Sequence, residues 1–407
     1  MNSREQSVPL RHRMRTPINI IGKFGAAWQM GTDPLWDCTG GLLTQSLAYL
    51  PPPSLELLDC VAPSYGFDMP EQHRAEAALL NLFAPNFGAV LWSSAGSLSN
   101  ELALWAAIRW IEAQGQSLKG VIVDEGGYHG NTELTRLVSR RVGSEPLSLW
   151  HQACSIPMRP VARVGEDFAM LHARWIEEQV SGDGRGWIVL IEPRSTTGSN
   201  FAMGLEYLRP LTETLRSLGC VVIFDEIASG MYRHGVSSYA PQCAPHAVTV
   251  SKGLTQGRWP LAATIFGPEL EAVIRDRGGL HMRGFTAGLS AAAAHYVNVT
   301  LDIFEGLFTE EWLSARACDM DMVEKQVGTK LRLERTPTTL RLEGNPDAIA
   351  TIVARLRDQR MWAYAASRSA GSAASQFLHY CPMFDLKREE QIQQFQILAE
   401  VLAEKGA

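Results

Sequence analysis

Four short stretches of the sequence carry residue types that can do chemistry together. The first is AVTVSKGLTQGRWPLAAT at 247 to 264, where Lys252 directly follows a strand-like apolar run and has Ser, Gly and Thr as neighbours. Such surroundings desolvate an ammonium and lower its pKa, which makes the amine a nucleophile able to form an imine with an aldehyde. The plain alternative is a lysine snorkelling out at a strand end. The second stretch is VVIFDEIASG at 221 to 230, whose apolar run ends in two acids. A carboxylate at Asp225 is costly near the low-dielectric interior unless it meets a cation or a proton, and a protonated ring nitrogen would serve; an N-cap or a structural ion pair would serve equally.

The third stretch is AGSLSNELALWAAIRW at 95 to 110, a small-residue turn running into a helix. Free backbone N–H groups at that helix start, with the hydroxyl of Ser97, suit a phosphate; Ser97 and Ser99 as simple caps are the competing reading. The stretch lacks the G-x-S-x-G elbow of a serine hydrolase. The fourth is GGYHGNT at 126 to 132, where glycines let the backbone approach a ligand while Tyr128 stacks on a heteroaromatic ring, or else forms an ordinary Gly-rich turn. His129 receives no role, because a lone histidine is more often structural than catalytic.

These stretches have to be positioned by regular elements. The runs GAVLWSS at 88, GVIVDE at 120, WIVLIEP at 187, CVVIFDE at 220, AVTVSKG at 247 and LAATIFG at 261 are short and continuously apolar, which predicts strands covered on both faces. Helical stripes lie between them: Leu104, Ile108 and Ile111, then Leu208, Leu211, Leu215 and Leu218 with Gly219 as a C-terminal cap. Alternation of strand and helix predicts an α/β fold with a mostly parallel sheet, and ligands then lie beyond the carboxyl ends of its strands. Toward the end, 331 to 345 reads as two strands and a turn, 346 to 361 as a helix, 376 to 381 as a strand and 387 to 405 as a helix, which together make a small α+β domain. The expected division is 1–60 as an N-terminal segment contributing to the small domain, 61–305 as the large domain, and 306–407 as the C-terminal small domain.

Charge and composition narrow the partners. The net charge is −6 and no Lys/Arg block could track a phosphate backbone, so a small molecule is expected rather than nucleic acid. The seven cysteines are odd in number and include no C-x-x-C pair, which argues against a disulfide framework or a structural zinc site and fits a reducing cytoplasm. The basic N-terminal stretch has no apolar region after it, and no run of about eighteen apolar residues occurs, so neither export nor a membrane span is expected. Asn298-Val299-Thr300 matches a glycosylation sequon by chance, inside an Ala-rich helical pattern.

In combination and in this order the stretches resemble the class III (ornithine and ω-amino acid) aminotransferase family of fold-type I pyridoxal phosphate enzymes, over roughly residues 20 to 405. The resemblance implies a large domain with a seven-stranded, mostly parallel sheet and a smaller α+β domain, with pyridoxal 5'-phosphate as cofactor. AGSLSNE looks like the family's phosphate turn and gives Gly96 and Ser97; the Y-H-G turn gives Tyr128 as the ring-stacking aromatic. DEIASGMYRHG gives Asp225 for the pyridine nitrogen and Ile227 for packing on the ring, and the E-P pair gives Glu192. The S-K-G match makes Lys252 the lysine of the cofactor imine, and GFTAGLSAAAAH gives Thr286, reaching the phosphate of a neighbouring subunit in a homodimer. Ala95 and Leu98 replace Ser and Glu in the phosphate turn, Ala228 stands for a Gln, and Arg194 and its neighbours replace V-Q-G-x-G. Thr286 lies one place nearer Gly288 than the family's Thr, and His379 occupies the place of the substrate-carboxylate Arg in R-x-x-P.

The implied activity is transfer of an amino group between an amine or amino acid and a 2-oxo acid, with Lys252 and Asp225 as the catalytic pair. Racemisation, decarboxylation, elimination or carbon–carbon bond formation on the same cofactor is the alternative, and cofactor binding without turnover is a second one.

Overall fold

The computed structural model describes residues 22–24, 27–30, 33–59, 69–124, 126–139, 155–158, 168–196, 204–275, 288–327, 331–367 and 376–403. In chain order the strands are β1 (Gly22–Phe24), β2 (Ala27–Met30), β3 (Asp33–Asp37), β4 (Ala89–Ser93), β5 (Gly120–Asp124), β6 (Ser155–Met158), β7 (Trp187–Ile191) and β8 (Val221–Asp225). They continue with β9 (Ala247–Val250), β10 (Ala262–Phe266), β11 (Arg332–Arg335), β12 (Leu340–Gly344), β13 (Met361–Trp362), β14 (Ala365–Ser367) and β15 (Gln376–Tyr380).

All six apolar runs form strands of one seven-stranded sheet, in the order β4-β10-β9-β8-β7-β5-β6. The pairs from β9 to β6 are parallel, whereas β10 runs antiparallel to both β9 and β4. Both faces are covered, as continuous apolar runs require. Ile122, Val189, Ile191, Val222 and Phe224 join one core with Leu79, Phe83, Ile176, Leu208, Leu211 and Val297 from helices on that face. Their alternating neighbours Val121, Val123, Ile188, Leu190, Val221 and Ile223 join a second core with Leu104, Ala107, Ile111, Leu270 and Ile274 on the other. The Leu205–Ser217 helix ends with Leu218 as its C-cap and Gly219 at φ 89, a left-handed cap that glycine adopts without a Cβ clash.

β6 is a strand that the apolar pattern does not reveal. It is four residues long, contains Pro157 and sits at the sheet edge, where a missing N–H costs no ladder bond. The C-terminal part matches expectation, with β11-β12-β15-β14 as an antiparallel sheet, a helix over Pro346–Asp358 and another over Arg388–Ala403. Residue 361, expected to end a helix, instead starts β13, which pairs in parallel with β3 to close a sheet of order β1-β2-β3-β13. Among the described residues no helix is long and apolar enough to cross a membrane, and no group of three or more His, Cys, Asp and Glu is placed to hold a metal ion.

Candidate active site

The carboxyl ends of β5, β7, β8 and β9 deliver Asp124, Glu192, Asp225 and Lys252 to one edge of the large sheet. Asp225 and Thr249 are register partners, so Lys252 emerges three residues beyond the strand position beside Asp225. Lys252 opens a tight 3-10 turn, Lys252–Leu254, at φ 34, an uncommon conformation for a side-chain-bearing residue. Ser251 anchors the preceding position by donating its hydroxyl to Leu261 O at 2.7 Å. Burial pushes the Lys252 amine below the ordinary lysine value, while the charges of Glu192 and Asp225 pull it back up. The lysine is half-buried, neither sealed in the interior nor snorkelled fully into solvent.

Asp225 is 3 % exposed and accepts three hydrogen bonds. Asn100 Nδ2 and His129 Nδ1 reach Oδ2 at 2.7 and 2.8 Å, and Ile227 N reaches Oδ1 at 3.1 Å. Glu192 is buried too, which raises its pKa, and its Oε2 accepts from Ser195 Oγ at 2.8 Å and from Tyr128 N at 3.3 Å. Tyr128 keeps 38 % of its surface exposed, so a ring face remains for a ligand.

The phosphate turn has a geometric signature. The Gly96–Ala113 helix starts after Ala95, which gives no side-chain cap, and its first turn carries no acid. Its opening N–H groups thus keep their capacity for an anion. Ser99 does not cap this helix; it is buried and donates Oγ to Ala263 O at 2.8 Å, bolting the first turn to β10. A Cβ on Gly96 would stand 2.7 Å from Ile227 Cδ1, and one on Gly130 would stand 2.5 Å from Ser97 Oγ. Both glycines are needed for close approach, and Ser97 Oγ accepts from Asn131 N at 3.1 Å, tying the helix start to the Tyr128 turn.

These contacts converge on residues 95–131, 192–195 and 225–252, the span in which a family would leave its signature. The profile of the class-III aminotransferases matches residues 64–352. The chain belongs to that family. Relatives of this aminotransferase-family chain include the adenosylmethionine-8-amino-7-oxononanoate aminotransferase of Mycobacterium leprae, 29% identical over 252 residues, or 59% of this chain and 56% of that protein. The acetylornithine aminotransferase of Xylella fastidiosa is 28% identical over 223 residues, 52% of this chain and 49% of that protein. The chain spans about half the length of the curated relatives it matches. Among solved structures, a transaminase from the marine bacterium Virgibacillus superposes with a TM-score of 0.82 at 14% identity, covering 97% of this chain and 95% of that one, which establishes the fold.

Of the sites the family resemblance implies, the structure gathers Gly96, Ser97, Tyr128, Glu192, Asp225, Ile227 and Lys252 at one sheet edge. Thr286 lies outside the described residues. Two polar residues at the site escaped the sequence reading. His129 is 1 % exposed and bonded to Asp225, not an unassigned turn residue, and Asn100 is wholly buried between Asp225 and Thr249. The histidine contact spans 96 positions, which no local pattern reveals. A signal for Asn100 did exist: it shares the buried stripe of Ala103, Leu104, Ala107 and Ile111, where a polar side chain demands a partner.

On the other wall, His379 donates Nε2–H to Thr196 O at 2.8 Å, and burial, with Arg341 next, pushes its pKa down to about 3. It is a neutral imidazole whose tautomer is set by that carbonyl. Ala228 packs with Leu43 and Cys381 in a small apolar cluster. Arg194 Nε donates to Tyr239 Oη at 2.5 Å.

Proposed function

We propose that the chain is a pyridoxal 5'-phosphate-dependent aminotransferase that moves an amino group between an amine or amino acid and a 2-oxo acid. The observation that carries this reading is the pairing of a desolvated Lys252 amine with a buried, triply hydrogen-bonded Asp225 at the ends of adjacent parallel strands. The residues fit the group. The uncapped helix start with Gly96 and Ser97 would hold the phosphate, Tyr128 and Ile227 would pack on the ring, and Asp225 would hold the proton on the ring nitrogen. Bound there, the cofactor supplies a protonated ring that stores the electron pair left when a substrate bond breaks.

The chain's own residues do the rest. Lys252 would be the attachment point, and its amine, whose pKa burial lowers, would take a proton from the substrate and return it. Glu192 fixes the Tyr128 turn through the Tyr128 N–H and holds Ser195. Thr286 would reach the phosphate of a second copy, which makes the working unit a homodimer. The proposed organisation is a cofactor domain over 61–305 and a smaller domain from 306–407 with 1–60. A cytoplasmic location is consistent with the free thiols of Cys38, Cys220, Cys243, Cys318 and Cys381.

The neutral His379 and apolar Ala228 favour one other reading, a different bond broken on the same cofactor, since substrate-side groups decide which bond stands perpendicular to the ring. Mixing loaded protein with donor amines separates the two. An oxo product with matching conversion of cofactor to its amine form, reversed by a 2-oxo acid, supports transamination. Product without that conversion supports the other outcome, and no change with any amine leaves a binder. Borohydride reduction should fix cofactor mass on the peptide bearing Lys252; fixation elsewhere, or in Lys252→Ala, overturns the assignment.

A further inference from the structure

The hydrogen bonds around Asp225 can be counted, and the count is uneven. An ionised carboxylate offers about four acceptor sites, two per oxygen. Oδ2 uses both of its sites, for Asn100 Nδ2 and His129 Nδ1, while Oδ1 uses one, for Ile227 N. Each of the two side chains is itself locked. Asn100 Nδ2 also donates to His129 O at 2.7 Å, and its Oδ1 accepts from Thr249 Oγ1 at 2.7 Å. A flipped amide would set its oxygen against the Asp225 carboxylate and the His129 carbonyl, so the orientation is fixed. His129 N donates to Ser139 Oγ at 3.0 Å, which fixes the backbone carrying the ring. Its Nδ1 faces an acid and therefore carries the hydrogen.

Resting on the cofactor reading above, we infer that Asn100 and His129 are positioning residues that saturate Asp225 Oδ2 and so reserve Oδ1 for the ring nitrogen of the cofactor. Four segments meet in this arrangement: the Gly96–Ala113 helix, the Tyr128 turn, the end of β8 and β9. His129 Nε2 has no hydrogen-bond partner among the described residues and is sealed from solvent, so the ring is kept for its Nδ1 contact and not for a second one. Burial lowers the His129 pKa, but the hydrogen bond and charge of Asp225, with Glu192 and Asp124 beyond, outweigh it and leave it raised. The histidine thus supplies a directed N–H beside the acid, which a merely space-filling ring would not.

Two readouts test this without relying on turnover: the dissociation constant of pyridoxal phosphate for apoprotein, and the ¹⁵N shift of the ring nitrogen in labelled, bound cofactor. His129→Phe and Asn100→Ala each remove one hydrogen bond to a charged group, so the dissociation constant should rise about tenfold to a hundredfold and the ring nitrogen should move toward its unprotonated shift. His129→Asn, whose amide N–H can stand in for Nδ1–H, should return both toward wild type. If His129→Phe fails to fold, His129→Leu replaces it, and if Asn100→Ala fails, Asn100→Ser does; each still lacks the donor to Asp225 and should give the same losses. Folded variants that bind within twofold of wild type and keep the wild-type ¹⁵N shift overturn the inference. Wild-type protein that binds no cofactor overturns both it and the reading on which it rests, and that result is recognisable before any variant is made.

Discussion

The ends of β8 and β9 and the far end of β15 both bring ionisable groups into the interior, and they handle charge in opposite ways. At β8 and β9, Asp225 accepts from side chains of two other segments and from Ile227 N of its own, and Lys252 stands in the field of two buried carboxylates. At β15, His379 is pinned to Thr196 O as a neutral ring, beside an apolar cluster of Leu43, Ala228 and Cys381. Arg341, the register partner of His379, is wholly buried over the Phe377 ring at 4.6 Å, with Glu343 and Glu334 oxygens at 3.8 and 4.0 Å. One wall keeps opposite charges close together; the other holds a neutral imidazole beside a cation compensated by two carboxylates.

The largest test of that contrast is a pair of substitutions. Asp225→Ala should cost about 3–5 kcal/mol of transition-state stabilisation, on the order of 10²–10⁴-fold in kcat, whereas His379→Gln should leave kcat within about tenfold. Equal losses in steady-state assays would erase the distinction. Next in size, His379→Arg should not create an α-carboxylate site. It would place a second cation beside buried Arg341, and urea unfolding should show a loss of about 3 kcal/mol with no fall in KM for amino acids.

The pH dependence of stability should carry both signs. His379, pushed down to about 3 by burial, stays neutral in the fold, while the unfolded chain takes a proton below its ordinary 6.5. Its contribution is complete above 6.5 and is lost as pH falls toward 3. Glu226, one residue past Asp225, is pushed up to about 7 by burial despite hydrogen bonds from Ser238, Tyr239 and Ala240. The unfolded chain ionises near 4.5 while the fold keeps the proton, so stability declines between 4.5 and 7. His379→Gln should flatten the acid limb and Glu226→Gln the neutral limb, each by about 1.4 kcal/mol per pH unit, read from melts across pH 3 to 8. The smallest effect is expected at Ala228→Ser, within about 1 kcal/mol, since it adds one hydroxyl beside Leu43 and Cys381. A larger loss would mean that wall is packed as tightly as the other.

The difference between the walls also explains what could be read from sequence. The six apolar strands of the large sheet are legible because both faces are buried, so each appears as an unbroken apolar run, and the last residue of each strand from β5 to β9 in the parallel part marks the site edge. Asp225 and Lys252 stand out as charges at such ends. The partners that give them meaning come from 96 and 125 positions away, and no local periodicity encodes those encounters. The N-terminal strands escape for another reason: they are three to five residues long, one holds Pro34, and β3 finds its parallel partner in β13. Short edge strands carry too few residues for an alternation to emerge from noise.

That last pairing has a consequence for biosynthesis. Trp36 lies opposite Met361 and donates its N–H to Arg360 O, while Cys38 N donates to Trp362 O. A ribosome must therefore deliver more than three hundred intervening residues before this seam can close. Until then β3 waits with one edge unpaired, its N–H and C=O groups open to other partners.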